Sequence, residues 1–405
     1  MSVAALAAVK VLDLSRVLAG PWATQILADF GADVLKVELP GRGDDTRAWG
    51  PPFVKDAAGH DDLELSAYYL SANRNKRSAA IDIATPEGAA LVRRLAGHAD
   101  VLVENFKVGG LAKYGLDWDA LHAVNPRLVY CSITGFGQDG PYAARGGYDF
   151  VAQGMGGFMS ITGAASGAPM RAGVAMADVS TGMYAAVSIL VALRHAEATG
   201  EGQRIDLSLL DTQIAVLANQ ASSYLVSGDV PGRMGNRHPT VVPYTIFDVA
   251  DGIVIIAVGN DGQFRLLGQA LGQPEWADDA RFATSRARVA HRDAIEAAVQ
   301  DAVRGFTAAA LIALLTEAGV PAGPVNSLDA VFADPVVAAR DTVHHFDGAI
   351  PSVAYPGKLS ATPATMRTPP PHVGAHTRAL LREWLDLGDD DYDALAAKGV
   401  VTQRG

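Results

Sequence analysis

Val9-Lys-Val-Leu-Asp-Leu14 turns through Ser15-Arg-Val-Leu-Ala-Gly-Pro21 and is answered by Gly31-Ala-Asp-Val-Leu-Lys-Val-Glu38. Both outer runs are short and rich in Val and Leu, so they read as strands. Between them, Ala19-Gly-Pro21 turns into a helix expected from about Trp22 to Phe30. A strand, a crossover helix and a second strand return in parallel, and the crossover is right-handed. Further strands are expected near Ser78 to Ile83, Val101 to Asn105 and Leu128 to Thr134. Helices near Pro86 to Gly97 and Trp118 to Val124 alternate with them. This alternation predicts an α/β protein with a doubly wound, Rossmann-like parallel sheet and a ligand crevice at its strand ends.

Downstream, a long apolar helix is expected from about Val179 to Glu197, stopped by Thr199-Gly-Glu-Gly202, and Arg204 to Leu210 reads as another strand. From Thr245 the pattern changes to two strands, Ile246 to Val249 and Ile253 to Val258, a glycine loop Gly259-Asn-Asp-Gly262, and three helices. That organisation suggests a large domain over 1–205, a linker over 206–225 and a smaller α/β domain over 226–327. A linker and return to the large domain then follow over 328–405.

The 405 residues are 49% apolar and 19% charged, with 42 glycines, enough for a large core and more than one domain. A formal charge of −11 opposes nucleic acid as a partner. Cys131, the lone cysteine, sits in an apolar strand, which excludes an intrachain disulfide framework and fits a reducing cytoplasm. A buried core residue is its plain reading, a nucleophile the bolder one. Met1 to Lys10 is too short for a signal peptide core. The run Met183 to Leu193 falls short of the ~20 residues that span a bilayer, so no membrane association is expected.

The first turn lacks G-x-G-x-x-G, so Glu38 at the second strand's end is no ribose-binding acid of a nicotinamide site. Among the 10 histidines, His372 and His376 have H-x-x-x-H spacing, but Pro369-Pro-Pro371 and Gly374 argue against a metal-binding helix, and no metal is expected. Neither a G-x-S-x-G elbow nor a P-loop occurs.

The sheet's loops instead carry cations. Asn73-Arg-Asn-Lys-Arg77 precedes a strand, Asn105-Phe106 follows one with Lys113 eight residues beyond Asn105, and Arg145-Gly-Gly-Tyr-Asp149 opens a glycine-rich stretch. Each alone reads as a solvated turn. Together, in an acidic chain, Lys76, Arg77, Arg145 and their neighbours suggest a cradle for several phosphates, with Phe106 and Ile81 flanking a purine. Coenzyme A and ATP both fit. Asp178 completes the picture, in Gly173-Val-Ala-Met-Ala-Asp-Val-Ser-Thr-Gly182. An N-cap is its plain role, with the helix field favouring the ionised form. Its small neighbours also leave room for attack on an activated acyl group. The residues by themselves indicate a phosphorylated nucleotide carrier and a nucleophilic carboxylate.

Nearly the whole chain also resembles the class III CoA-transferases, the CaiB/BaiF family that includes formyl-CoA transferase and α-methylacyl-CoA racemase. The resemblance rests on the first turn through Pro21, Gly31 to Glu38, Asn75-Lys-Arg-Ser78, Asp100-Val-Leu-Val-Glu-Asn-Phe106 and Gly147-Tyr-Asp149. It continues through Asp178-Val-Ser-Thr-Gly182, Gly235-Asn-Arg-His-Pro239, Val258-Gly-Asn-Asp-Gly-Gln-Phe264 and Gly319-Val-Pro-Ala-Gly-Pro-Val-Asn326. It implies that Asp178 is the catalytic aspartate, forming an anhydride and then an aspartyl-CoA thioester. Implied CoA contacts are Arg16, Val17, Ala19, Ile81, Asn105, Phe106 and Lys113. Gly259, Asn260, Asp261 and Gly262 match a loop that covers the thioester. CoA would be a substrate, with no permanently bound cofactor, and two interlocked rings would form a homodimer.

Several positions depart from the relatives within that family. Tyr148, before Asp149, replaces the histidine of the racemase branch, which favours transfer over racemisation. Leu18 and Leu39 replace a glutamine and an arginine of formyl-CoA transferase, which argues against oxalate or formate, and Ala375 stands where glutamate is usual. The expectation is CoA transfer from an acyl-CoA, succinyl-CoA above all, to a small dicarboxylate. Arg16, Arg171, Arg233 and Arg237 are candidates to hold the distal carboxylate. A racemase and a non-catalytic CoA-binding subunit are the alternatives.

Overall fold

The computed structural model of the protein describes residues 4–56, 58–346 and 350–404; Met1 to Val3, at the start of the stretch too short for a signal peptide core, lie outside them. Seven strands form the main sheet, in the spatial order Val401–Thr402, Lys76–Ile81, Asp33–Glu38, Lys10–Asp13, Val101–Glu104, Val129–Thr134 and Arg204–Ser208. All neighbours are parallel except the edge strand Val401–Thr402. Numbered along the chain, the six parallel strands lie 3-2-1-4-5-6, the doubly wound arrangement. The order reverses between Lys10–Asp13 and Val101–Glu104, so a crevice is expected beyond their carboxyl ends.

Both faces of this sheet are covered, which explains why its strands read as continuous apolar runs. Successive residues point to opposite faces. Val11, Val34, Val101, Val129 and Cys131 pack under the helices Ala19–Asp29 and Met176–Thr199. Leu12, Leu35, Leu102 and Tyr130 pack on the other side, where Leu91, Leu95 and Leu380, from the helices Pro86–Ala96 and Thr377–Leu385, meet them. Cys131 is fully buried, and burial pushes its thiol up, so it is an inert core residue.

Two compact units make up the chain. One comprises Met1–Phe158, Arg171–Gly228 and Ala338–Gly405, and the other Met159–Met170 with Asp229–Val337. The stretch 206–225, expected as a linker, instead ends the strand Arg204–Ser208 and forms the helix Leu209–Ala215 and most of Ala218–Ser227 within the first unit. The second unit has three antiparallel strands, Tyr244–Val249, Gly252–Ala257 and Ala322–Pro324. Phe247, Val254, Phe264, Ile295 and Leu311 form its core with helices that include Asp261–Ala270, Arg292–Val303 and Ala308–Glu317. A hairpin of Phe53–Lys55 and Asp61–Ser66, leading into the short helix Ala67–Leu70, has no counterpart in the sequence expectations.

Met176–Thr199 is long and apolar enough to cross a membrane by length and composition, yet half of its apolar window is buried within this fold. Gly182 seats it against the first helix. A Cβ there would lie 2.7 Å from the carbonyl oxygen of Ala19 and 2.9 Å from Trp22 Cβ. Gly182→Ala should therefore force the helices apart and cost about 1–3 kcal/mol, read as a lowered urea midpoint. An unchanged midpoint would show that this contact has room to give.

Candidate active site

At the reversal of strand order, two turns are clipped together. The backbone N–H of Arg16 donates to Asn105 Oδ1 at 2.9 Å, and Asn105 Nδ2 donates to the carbonyl of Arg16 at 2.7 Å. The guanidinium of Arg16 lies 5.5 Å from the Phe106 ring and pairs with Asp45 at 3.1 Å. Beside it, a cavity of about 190 Å³ is lined by Arg16, Leu39, Arg42, Ile81, Phe106 and Tyr114, among others. Arg16, Ile81 and Phe106 thus meet as the sequence suggested, joined by Leu39, while Asn105 clips the turn. Lys113 is exposed next to this wall, 4.6 Å from the Tyr114 ring, and Leu18 and Ala19 are buried where the first helix begins. Arg42 and Tyr114 were missed, although Arg42 lies four residues beyond the second strand and was open to suspicion on position alone.

The first turn is strained and is held by buried ions. Val17, a β-branched residue, has φ +69°. Its N–H faces the Asp44 carboxylate at 3.3 Å. Asp44 pairs with Lys36 at 2.9 Å, and despite burial the lysine helps hold its carboxyl down to about 2. Lys36 also donates to the carbonyl of Ser15 at 2.9 Å. Asp13 accepts from the Ser15 N–H at 2.9 Å, Thr24 Oγ1 at 2.7 Å and Lys76 Nζ at 3.1 Å.

That last contact corrects the phosphate reading of Asn73 to Arg77. Lys76 is fully buried among Asp13, the Pro21 carbonyl and Asn73 Oδ1. Arg74 is spent on Asp29, and Arg77 on Asp33 and Glu383. Lys76 and Arg77 open their strand, whereas the crevice lies beyond the strands' carboxyl ends. Arg145 is exposed, 5.2 Å from the Phe136 ring and 4.6 Å from that of Tyr142, and does not line the cavity. His372 pairs with Asp62 at 2.7 Å, whereas His376 Nδ1 accepts from the Ser78 N–H at 3.3 Å, so the two rings serve different partners.

The helix carrying Asp178 starts earlier than expected, at Met176, which makes Asp178 its third residue rather than its cap. Asp149 does the capping. Its Oδ1 accepts from the N–H of Ala177 at 2.8 Å and of Asp178 at 3.3 Å, and its Oδ2 from Gln153 Nε2 at 2.7 Å. Asp149 is buried at the start of the helix Asp149–Met155, and Tyr148 just before it is 70% exposed. Released from capping, the Asp178 carboxyl is pushed up to about 7, by burial first and by the Asp149 charge second. The expectation that the helix field favours its ionised form is therefore reversed: desolvation and a like charge outweigh about half a unit charge at the helix end.

Tyr68, unmarked by any motif, belongs with these groups. Burial and then the charges of Asp178, Asp149 and Asp44 push its phenol up to about 12, so it stays protonated and able to donate near the carboxylates. Trp49 meets its ring edge-on at 5.1 Å. Gly182, one helical turn after Asp178, abuts Ala19 and Trp22, which brings the carboxylate's helix to the start of the crevice turn. In the second unit, Gly259 donates its N–H to Gln263 Oε1 at 2.8 Å, Asn260 caps the helix Asp261–Ala270, and Asp261 pairs with buried Arg288 at 2.8 Å. Gly262 lies in the first turn of that helix.

Residues 6–377 match the CoA-transferase family III. The chain belongs to that family. It is 53% identical to the succinate–glutarate CoA-transferase of Agrobacterium fabrum, covering 93% of this chain and 95% of that one. It is 40% identical to the human succinyl-CoA:glutarate CoA-transferase, covering 98% of this chain and 90% of its relative. A solved CaiB/BaiF family structure from Brucella suis superposes with a TM-score of 0.84 at 48% identity, covering 95% of this chain and 100% of its own. The protein is a CoA-transferase acting on CoA thioesters.

An Asp178 nucleophile must lose its proton to attack. CoA release from a donor thioester, followed before the first turnover, should rise with pH around a midpoint near 7 and level off above it. Asp149→Asn removes the repelling charge and should move that midpoint down by about 1 unit; an unmoved midpoint would uncouple the two carboxyls. Stability carries the opposite sign, because the folded pKa is raised and charging Asp178 in the fold is unfavourable. Asp178→Asn should be the more stable protein at pH 8 by roughly 1–3 kcal/mol in urea unfolding, with the difference fading below pH ~4.

Proposed function

We propose that this CoA-transferase moves CoA from succinyl-CoA to glutarate or a closely similar small dicarboxylate, with Asp178 as nucleophile. The observation that carries the reading is the Asp178 carboxyl itself. It takes no hydrogen bond from the described residues, has a proton affinity near neutrality, and sits one turn from the glycine against the crevice helix. The substrate choice draws on the two relatives named for succinate or succinyl-CoA and glutarate.

Asp178 attacks the donor's thioester carbonyl, forming a mixed anhydride and releasing CoA thiolate. The thiolate then attacks the aspartyl carbonyl, which frees the donor acid and leaves an aspartyl-CoA thioester. The acceptor carboxylate attacks that thioester, again expelling thiolate, and the thiolate takes the acceptor's acyl group and restores Asp178. No general base is needed once the carboxyl is ionised, and a carboxylate of raised proton affinity is the stronger nucleophile. Tyr68 is suited to donate to the oxyanion that develops on the acyl carbon. CoA is proposed to lie along Arg16, Val17, Ala19, Ile81, Asn105 and Phe106, with Lys113 and Arg42 near its phosphates and no resident cofactor. The racemase alternative gains nothing, since Tyr148, which stands where the racemase branch of the family carries a histidine, is exposed and is the poorer proton-transfer group.

A cytoplasmic homodimer is part of the proposal. Met183, Tyr184, Val187, Leu190 and Val191 form an exposed apolar stripe at helical spacing, of the kind a second copy would cover. Incubation with succinyl-CoA and hydroxylamine should leave a hydroxamate on Asp178, and Asp178→Ala should abolish both the adduct and succinate–glutarate CoA exchange. An Asp178→Ala protein that still exchanges CoA would refute the nucleophile.

A further inference from the structure

A dicarboxylate acceptor brings two negative charges to a place that already holds Asp149 and Asp178. Like charges brought together in a partly desolvated site repel, so the acceptor's far end needs a cation. Four arginines were open candidates on sequence, and their contacts separate them. Arg16 pairs with Asp45 at 3.1 Å. Arg237 pairs with Asp293 at 3.1 Å and with Glu296 at 2.8 Å. Arg233, in the other unit, donates to the carbonyl of Gly167 at 2.7 Å. Arg171 is exposed and, among the described residues, has no carboxylate partner; its Nη1 reaches merely the carbonyl of the adjoining Ala172, at 3.4 Å.

The backbone on either side of the nucleophile is fastened to one shelf. Ala172 donates its N–H to Gln153 Oε1 at 2.9 Å, and the same Gln153 donates to Asp149 at 2.7 Å. Asp149 in turn holds the N–H groups of Ala177 and Asp178. Asp149 and Gln153 are one helical turn apart, about 5–6 Å. The Arg171 guanidinium also lies 5.8 Å from the ring of Phe150, the residue after Asp149.

We propose that Arg171 receives the distal carboxylate of the dicarboxylic acid and so sets the preference for diacids over monoacids. Its planar fork matches a carboxylate with two parallel hydrogen bonds, and its free position costs no existing ion pair. The assignment rests on the transferase reading at Asp178.

Arg171→Gln and Arg171→Lys test it, with glutarate and its monomethyl ester as acceptors. Because succinyl-CoA also has a distal carboxylate, the donor is butyryl-CoA throughout, and the hydroxamate trap is run in parallel. In Arg171→Gln, KM for glutarate should rise on the order of 30-fold, with kcat within a few-fold and the ester's kcat/KM unchanged. Arg171→Lys should fall between that variant and the parent. An equal loss for diacid and ester, or an unchanged KM for glutarate, overturns the assignment while leaving Asp178 intact. A parent enzyme that forms no adduct from either butyryl-CoA or succinyl-CoA overturns the transferase reading, and Arg171's role falls with it.

Discussion

The carboxylate of Asp149 organises the site. One oxygen caps the helix Met176–Thr199 by accepting from Ala177 and Asp178, and the other holds Gln153. A helix start leaves unpaired N–H groups that must find acceptors. Had Asp178 met that need itself, its oxygens would be occupied and its proton affinity low. Because Asp149 meets it, Asp178 remains free of protein hydrogen bonds, and Asp149's own charge raises its proton affinity. The capping and part of the raised proton affinity thus come from the same side chain, beside the larger effect of burial.

The crevice depends on a second arrangement, the buried ions beneath the first turn. Lys36, Lys76, Asp13 and Asp44 are all removed from water. Buried ions of this kind contribute little net stability compared with apolar packing, but loss of one partner is costly. What they secure here is shape: Asp44 faces the N–H of Val17, whose left-handed backbone would otherwise relax, and Asp13 and Lys36 fix Ser15. The Asn105 clip to Arg16 then joins this turn to the one across the strand reversal.

Much of this was legible in the sequence, for identifiable reasons. The β-α-β text from Val9 to Glu38 gives the parallel sheet, and with it the crevice, because strand periodicity and turn residues are local signals. Arg16, Ile81 and Phe106 meet because they sit at strand ends, where topology converges. The cations at Asn73 to Arg77 misled because sequence does not distinguish a solvated lysine from one paired with Asp13, a residue 63 positions away. Asp178 was placed on the right helix, but its plain reading as the helix cap fails, since the cap, Asp149, is 29 positions upstream and pairing at that distance has no local trace. Tyr68 was missed for the same reason. The hairpin Phe53–Lys55 with Asp61–Ser66 was hidden by polar composition, although Asp61-Asp-Leu-Glu-Leu-Ser66 does alternate.

Electrostatics links the fold to the choice of acid. A site built on two neighbouring carboxylates is hostile to anions, and each acid that turns over must enter as one. A monoacid meets that repulsion with its reacting group alone. A diacid brings more charge, but it also brings a second handle, and a cation at the far end converts the extra charge from a penalty into an anchor. The spacing between anchor and nucleophile then measures chain length. In the proposed arrangement Gln153 fixes the backbone beside Arg171 and Asp149 fixes the backbone of Asp178, so both ends are mounted on one turn of the helix Asp149–Met155. With Arg171 as the proposed anchor, changes to the shelf that caps the Asp178 helix would shift acid preference and proton affinity together.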